Sequence, residues 1–314
     1  MNNQSKLLAK IPSILLPKKI TSARKIEGGV NNRNILINES WLVKEYLIRD
    51  EPNDPVYLRF LREKDSLLLL KDNSHAPELL KYYDDDRNFY ITRKWIEGQP
   101  LNNDYLKDNV EVLVNAVLSI HSVNKPTPGD FHYYDVIKRY LLEYKGMERH
   151  YPTSPSLNME LSNFPSHERL DQYFIDRVHQ LQGLKIAKPL VRIHGDLVFS
   201  NIIVTPKNEM CFIDWEYSTL ADPCIDLAYL VTQNQLPLNI QHSIADKFAE
   251  QLGMPVHPDG LRLNCDLMNL MSALWYLIQA ARLRSTSTPT EDQQGSFKEF
   301  LSLAQDRFQT LDLL

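Results

Sequence analysis

Glycine is scarce in this chain, ten in 314 residues, about half the usual share. That argues against a scaffold of glycine-rich loops and makes the adjacent pair Gly28 and Gly29 conspicuous. Cysteine is scarcer. Cys211, Cys224 and Cys265 are widely spaced and form no CxxC pair, which excludes a disulfide framework or a zinc knuckle and fits a reducing compartment. No apolar run approaches the roughly 18 to 20 residues that span a bilayer. The stretch Leu7–Leu16 is apolar, but Lys10 and Pro12 interrupt it and no small-residue cleavage site follows. A signal peptide is therefore not expected, and a soluble cytoplasmic protein is. Positive charge is not in excess either: the net charge of −5 offers no field to nucleic acid or an anionic membrane. What is present is 43% hydrophobic and 24% charged, enough to bury a core and too apolar for a disordered chain.

No internal repeat or low-complexity tract appears. Ile35–Ile37 and Ser40–Ile48 are two apolar stretches separated by Asn38-Glu39, a hairpin signal. Asp54-Pro55 reads as a helix cap with proline at the first helical position, predicting a helix from Val56 to about Lys71. A strand Phe89–Trp95 ends at the breaker Glu97-Gly98-Gln99-Pro100. Helices are predicted near 108–123, 133–148, 222–232, 241–252 and 264–283, and Tyr151–Pro165 reads as a loop. The acidic run Tyr82-Tyr-Asp-Asp-Asp86 reads as a solvated turn. The sum is an α+β fold of two lobes, a small β-rich lobe over 1–97 and a larger, mostly helical one over 98–314.

The densest chemical signal is Leu190-Val-Arg-Ile-His194-Gly195-Asp196-Leu-Val-Phe-Ser-Asn201-Ile-Ile-Val-Thr, followed by Met210-Cys-Phe-Ile-Asp214-Trp-Glu216. The apolar runs 202–204 and 210–213 predict a hairpin centred near Lys207, with Ile202 opposite Ile213 and Val204 opposite Cys211. Asn201 and Asp214 then share its open end, and the loop carrying Asp196 feeds into the same place. Three oxygen-bearing side chains suit a hard cation such as Mg²⁺. Asp196 precedes Asn201 by five residues, the spacing of the kinase catalytic loop, whose Asp accepts the substrate hydroxyl's proton. A metal-dependent phosphohydrolase would instead use His194 and Asp196 as ligands, but His121, His167 and His179 sit at no helpful spacing. His121 reads as a satisfied helix histidine, and Asp226 as either a simple helix cap or a brace for the catalytic loop.

A kinase also needs a cation for the nucleotide phosphates. Strand alternation puts Lys44 on the face of Leu42, Tyr46 and Ile48. In the next helix Val56, Phe60, Glu63, Leu67 and Leu70 recur at helical spacing, so Glu63 points into the buried stripe. Opposite charges on two apolar faces look like the strand-lysine and helix-glutamate pair of kinases, with a snorkelling Lys44 as the plainer alternative. Upstream, Gly28, Gly29, Asn31 and Asn32 tolerate positive φ, and their amides can curl over phosphates. No GxxxxGK[ST] is present, which disfavours a P-loop NTPase. Ile91–Gly98, with Lys94 and Ile96, is by its order the strand and hinge for adenine.

The order His194-Gly-Asp196-x4-Asn201, Ile213-Asp214-Trp-Glu216-Tyr217 and Asp222-Pro223-x2-Asp226-Leu-Ala resembles the aminoglycoside phosphotransferase and choline kinase superfamily, from Gly28 to about Arg282. The resemblance implies a protein-kinase-like fold that transfers phosphate from ATP to a small-molecule hydroxyl. It makes Asp196 the catalytic base, gives Mg²⁺ to Asn201 and Asp214, and puts Lys44, braced by Glu63, on the ATP phosphates. Asp214-Trp215-Glu216 stands where protein kinases have Asp-Phe-Gly, and neither an Ala-Pro-Glu element nor an activation loop is evident, so a protein substrate is not expected. Trp-Glu-Tyr after Asp214, and Leu274-Trp275-Tyr-Leu-Ile-Gln279-Ala, look like the bacterial choline kinase branch, with the thiamine kinase branch nearly as close. Trp215, Tyr217, Trp275 and Tyr276 are then candidates for an aromatic face against a cationic alcohol, and Glu216 for a negative charge, although Trp275 also fits a helical core stripe. The expected acceptor is choline or ethanolamine, with thiamine or an aminoglycoside as alternatives. A kinase-fold binding protein without catalysis is the rival from another class, and the intact set Lys44, Glu63, Asp196, Asn201 and Asp214 argues against it.

Overall fold

The Asn38-Glu39 turn joins β2 (Asn32–Ile37) to β3 (Trp41–Tyr46). Both turn residues carry positive φ, 53° and 51°, the handedness that matches strand twist in tight hairpins. The computed structural model describes residues 7–26, 32–47, 56–85, 87–150, 160–184, 190–252, 256–284 and 291–314. The predicted Asp54-Pro55 cap and most of the loop at 151–165 lie outside them.

β1 (Ala23–Ile26), β4 (Leu79–Asp84) and β5 (Phe89–Lys94) complete an antiparallel sheet in the order β1-β2-β3-β5-β4. Tyr82, Tyr83 and Asp84 are thus strand residues, a correction to the expected solvated turn. The tyrosines favour a pleated, half-buried surface, and the turn proper is held by Asp85, whose carboxylate accepts from the Asn88 amide at 2.7 Å. Helix α1 (Val56–Leu69) packs on one face of the sheet, with Phe60 edge-on to Tyr46 at 5.8 Å. The other face is covered by the N-terminal segment. Ile11 and Leu15 join Ile35, Ile37, Val43 and Tyr90 in one apolar cluster. Tyr90 Oη donates to the Lys10 carbonyl, and Lys81 Nζ to the carbonyls of Ile14 and Leu16. Most of the apolar run Leu7–Leu16 thus packs against this sheet face.

β6 (Gln99–Pro100), β8 (Ile202–Val204) and β9 (Met210–Phe212) form a second small sheet, and β7 (Val191–Ile193) pairs with β10 (Thr219–Ala221). The β8–β9 register is one residue away from the expected one. Ile202 faces Phe212 and Val204 faces Met210, because Asn208 adopts a left-handed φ of 61° and adds a bulge residue to the turn. The open end is nevertheless shared as expected, since the Ile213 amide donates to the Asn201 carbonyl at 2.9 Å. Helix α2 (Asn103–His121) begins five residues before the predicted 108. Asn102 caps it through the Tyr105 amide, and the non-helical φ of −130° at Asn109 interrupts the periodicity there.

The remaining helices are α3 (Asp135–His150), α4 (His167–Gly183), α5 (Cys224–Gln233), α6 (Leu238–Leu252), α7 (Pro258–Arg284) and α8 (Glu291–Thr310). The chain forms two compact units. The first comprises Met1–Phe131, Pro189–Asp226 and Leu236–Pro255, and the second His132–Lys188, Leu227–Gln235 and Val256–Leu314. The lobe boundary expected near residue 97 falls within the first. In the second unit α7 packs on α3, α4 and α8, and Met147, Ile278, Ala281 and Phe297 are part of its core. Among the described residues no helix is long and apolar enough to cross a membrane.

Candidate active site

The chemistry-bearing residues of the first unit meet around the Lys44 ammonium. Lys44, 4% exposed, reaches Glu63 Oε2 and Asp214 Oδ1 at 2.5 Å each and Glu216 Oε2 at 3.5 Å. Glu63 Oε2 accepts a further hydrogen bond from Tyr46 Oη at 2.5 Å. Sequence reasoning places Tyr46 on the Lys44 face by alternation but gives it no role. It is the hydroxyl that fixes Glu63. Snorkelling is excluded, because the lysine is caged rather than led to solvent.

Carboxylate oxygens of Glu63, Asp214 and Glu216 all lie within 4.8 Å of one another, and the cation they surround is the lysine. Burial alone would depress the Lys44 pKa, but the pull of Asp214, Glu63 and Glu216 outweighs it and holds the group well above its ordinary value. Burial likewise works to raise Asp214, yet Lys44 beside it keeps that carboxyl below its ordinary value. Glu216 goes the other way: burial dominates, and its carboxyl is raised.

Asp214 itself stands at a left-handed φ of 69°, a conformation that short polar side chains tolerate best outside glycine. Its side chain remains 35% exposed, the most open member of the cage.

The segment from His194 to Asn201 is pinned from three sides. Asn201 Nδ2 donates to Asp196 Oδ2 at 2.9 Å and to the Asp196 carbonyl at 3.1 Å, so the five-residue spacing folds these two side chains together. Asp226, fully buried in the first turn of α5, accepts from the Gly195 amide at 2.8 Å and the His194 amide at 2.9 Å. His121 Nε2 lies 2.9 Å from the same carboxylate. Of the two readings of Asp226, the brace holds, while the helix is capped by Asp222, whose Oδ1 accepts from the Cys224 amide at 2.8 Å.

His194 is buried. Its Nε2 lies 3.0 Å from the Ile213 carbonyl and its Nδ1 accepts from the Asp196 amide at 3.2 Å. Burial lowers its pKa, so the ring is neutral and ties the loop to the strand before Asp214. Both ring nitrogens are engaged within the fold, so the ring acts here as a structural tie.

The remaining candidates fall in different places. Trp215 is fully buried, its ring 4.6 Å from His194 and its Nε1 donating to the Phe212 carbonyl at 2.8 Å. It presents no face to an acceptor, a correction to the aromatic-face expectation. Glu216 is also corrected: it is 4% exposed and accepts from Asn32 Nδ2 at 3.0 Å, so it belongs to the lysine cage. Tyr217 is half-buried. Trp275 and Tyr276 lie on α7 of the second unit, half-buried, edge-on to one another at 5.3 Å and both against Phe300. Lys94 points outward into an ion pair with Glu78, and Ile96 is half-buried in the segment after β5. Gly28, Gly29 and Asn31 lie outside the described residues. Arg59 and Arg62 of α1, both buried, are absent from the sequence-based site, because charged residues on a helix ordinarily read as its wet face.

A sheet whose inward lysine is matched by a helix glutamate, followed by a hairpin carrying Asp196, Asn201 and Asp214 and by a helical part, is the protein-kinase-like fold. Comparison with known proteins gives the same answer at finer grain: the chain belongs to the phosphotransferase enzyme family, which it matches over residues 22–263. It is 24% identical over 219 residues to the protein LicA homolog of Mycoplasma capricolum, covering 70% of this chain and 79% of that protein. A 164-residue stretch is 31% identical to mouse acyl-CoA dehydrogenase family member 10, which is 46% of this chain and only 15% of that much longer protein. Among solved structures, choline kinase LicA from Streptococcus pneumoniae superposes with a TM-score of 0.67 at 18% identity, over 96% of this chain and 98% of that one. An ethanolamine kinase of Plasmodium vivax gives 0.70 at 16% identity, over 93% and 81%.

Proposed function

We propose that this phosphotransferase is an ATP- and Mg²⁺-dependent kinase of a small cationic alcohol, choline or ethanolamine. The observation that carries the nucleotide half is the Lys44 ammonium at 2.5 Å from both Glu63 and Asp214, a cation held ready on the hairpin that also bears Asn201 and, through it, Asp196. The acceptor half is supported by the resemblance to choline and ethanolamine kinases.

The donor set fits a hard cation: Asp214 offers a part-exposed carboxylate, and with Nδ2 of Asn201 committed to Asp196 the amide oxygen is the atom left for a metal. Mg²⁺ bound there would neutralise charge on the phosphates during transfer. Lys44 draws the phosphates to the cage edge. Asp196, oriented by Asn201 and by a loop fastened to Asp226, accepts the proton of the acceptor hydroxyl as its oxygen bonds to the γ-phosphorus and the bond to ADP breaks. Positioning and fixed charge supply most of the acceleration in such a site. Of the aromatic candidates, Tyr217 of the first unit keeps the partial exposure that a cationic head group needs, while Trp275 and Tyr276 are half-buried within the second.

The test is ADP release with Mg-ATP across choline, ethanolamine, thiamine, an aminoglycoside and no acceptor. Stimulation by choline or ethanolamine is the expected result. Stimulation by thiamine or the aminoglycoside alone would move the acceptor assignment, and ATP binding without turnover on any acceptor would favour the non-catalytic rival.

A further inference from the structure

Helix α1 is buried on a second face beside the one that carries Glu63. Arg59, Arg62 and Ser66, at spacings of three and four, are 1%, 3% and 0% exposed, beside the Phe60, Glu63 and Leu67 stripe. Burying guanidinium groups carries a desolvation cost, and their partners show what that cost supports. Arg62 Nη1 donates to the Glu216 carbonyl at 3.2 Å and its Nε to the Gly129 carbonyl at 3.3 Å. The guanidinium lies 4.3 Å from the centroid of the Phe131 ring. Arg59 Nη1 is 3.9 Å from Glu216 Oε1.

The loop on the other side of Arg62 is itself anchored to the catalytic strands. A Cβ on Gly129 would stand 3.1 Å from Arg62 Cγ and 3.2 Å from the Arg62 amide nitrogen, so only glycine permits this approach without a shift. Its neighbour Asp130 pairs with fully buried Arg192 of β7, two residues before His194. Arg192 Nη2 also donates to the Lys125 carbonyl at 2.5 Å. Phe131 and Thr219 of β10 exchange two hydrogen bonds, at 2.9 and 2.8 Å. A continuous set of contacts therefore runs from α1, through Arg62 and the loop 125–131, to the strand that delivers Asp196.

We propose that Arg62 is a positioning residue: latched to Gly129 and to the Glu216 backbone, it holds α1 so that Glu63, the next residue, stays on Lys44 before any nucleotide arrives. Kinases that reposition this helix use an activation segment to do so. This chain shows no such segment in its sequence, and the latch makes the Lys44–Glu63 pair permanent. The consequence for turnover rests on the reading of Lys44 as the phosphate-binding lysine, whereas the consequence for α1 does not.

Two measurements on Arg62→Met, with Arg24→Ala (an exposed surface pair with Glu39) as control, test it: amide hydrogen exchange without nucleotide, and KM for ATP against kcat. Exchange over residues 59–66 should rise about tenfold while β8 and β9 keep wild-type protection, and KM for ATP should rise by a similar factor, the scale of one lost charge-assisted hydrogen bond. KM for the acceptor should not move, and Arg62→Lys should recover part of the loss. Wild-type α1 protection together with wild-type KM for ATP in folded Arg62→Met overturns the proposal. If that variant does not fold, Gly129→Val, whose branched side chain crowds Arg62 beyond the few tenths of an ångström that a Cβ alone would ask and leaves every charge in place, must give the same selective loss, and wild-type behaviour there overturns it equally. If the wild-type protein binds no nucleotide, the functional reading fails by itself and the exchange of α1 still decides the latch.

Discussion

Replacing Lys44 by methionine removes the cation shared by Glu63, Asp214 and Glu216, leaving three carboxylates whose oxygens lie within 4.8 Å of one another. Two contacts at 2.5 Å are each worth about 6–7 kcal/mol of Coulomb energy at an effective dielectric near 20. The desolvation of the buried ammonium offsets several kcal/mol of that, so breaking the cage should cost about 3–5 kcal/mol. At roughly 2 °C per kcal/mol for a chain of this size, Tm should fall by about 6–10 °C at pH 7 in metal-free buffer.

The pH dependence has a definite sign. Without the ammonium, the mutual repulsion of the carboxyls raises their folded-state pKa values. A group raised in the folded state contributes stability below its unfolded pKa and loses it as pH rises through the folded one. The deficit of Lys44→Met should therefore be smaller at pH 5 than at pH 8. Wild-type Asp214, held low by Lys44, behaves oppositely and loses its contribution only as acid protonates it. Scanning calorimetry of both proteins at the three pH values, with a chelator present, reads the difference. A variant within 2 °C of wild type at pH 7, or a deficit that grows toward acid, would refute the cage argument.

Three further outcomes follow from the same geometry. Asp226→Asn puts an NH₂ donor where one carboxylate oxygen now accepts from a backbone amide, leaving two donors facing each other. Turnover should drop by about 30- to 150-fold, equivalent to ~2–3 kcal/mol, and an unchanged kcat would show that the loop needs no brace. Gly98→Ala would put a Cβ 2.3 Å from the Val204 carbonyl oxygen at a φ of 157°; it should destabilise the first unit by at least ~2 kcal/mol, and a wild-type melting curve would contradict the packing. Cys211, with its thiol pushed up to about 12 by burial, has about one thiolate in 10⁴ at pH 8. Iodoacetamide should therefore label half-exposed Cys265 well before it, as peptide mapping would show.

How much of this was legible in the sequence depends on how local each signal is. Asp196, Asn201 and Asp214 fall within nineteen positions between apolar runs, and a hairpin has few ways to arrange them. Even the one-residue register slip caused by Asn208 left their shared end intact. Lys44 and Glu63 were readable because a charge on an apolar strand face or helix stripe requires a partner.

Trp215 was misread because a tryptophan beside a candidate site aspartate carries the same letters whether it faces ligand or core. Only its packing on His194 separates the two. Arg59 and Arg62 were invisible for the opposite reason: Arg62 is covered by Gly129 and Phe131, more than sixty residues away, and Arg59 lies near Glu216, farther still along the chain. Helices α4 and α8 escaped because their sequences are polar along most of their length. The N-terminal cover shows that an apolar run too short for a membrane can serve a sheet face instead.

The most direct test of the central claim is a paired measurement on Asp196→Asn: ATP binding by calorimetry, and phosphoryl transfer to the acceptor that wild type uses. Because Asp196 is held by Asn201 and lies outside the Lys44 cage, the variant should bind Mg-ATP within about threefold of wild type while transfer falls by at least the 10²-fold expected for a lost general base. Transfer near the wild-type rate with normal ATP binding would mean that another group takes the hydroxyl proton, and that the constellation at residues 194–214 is not the catalytic centre.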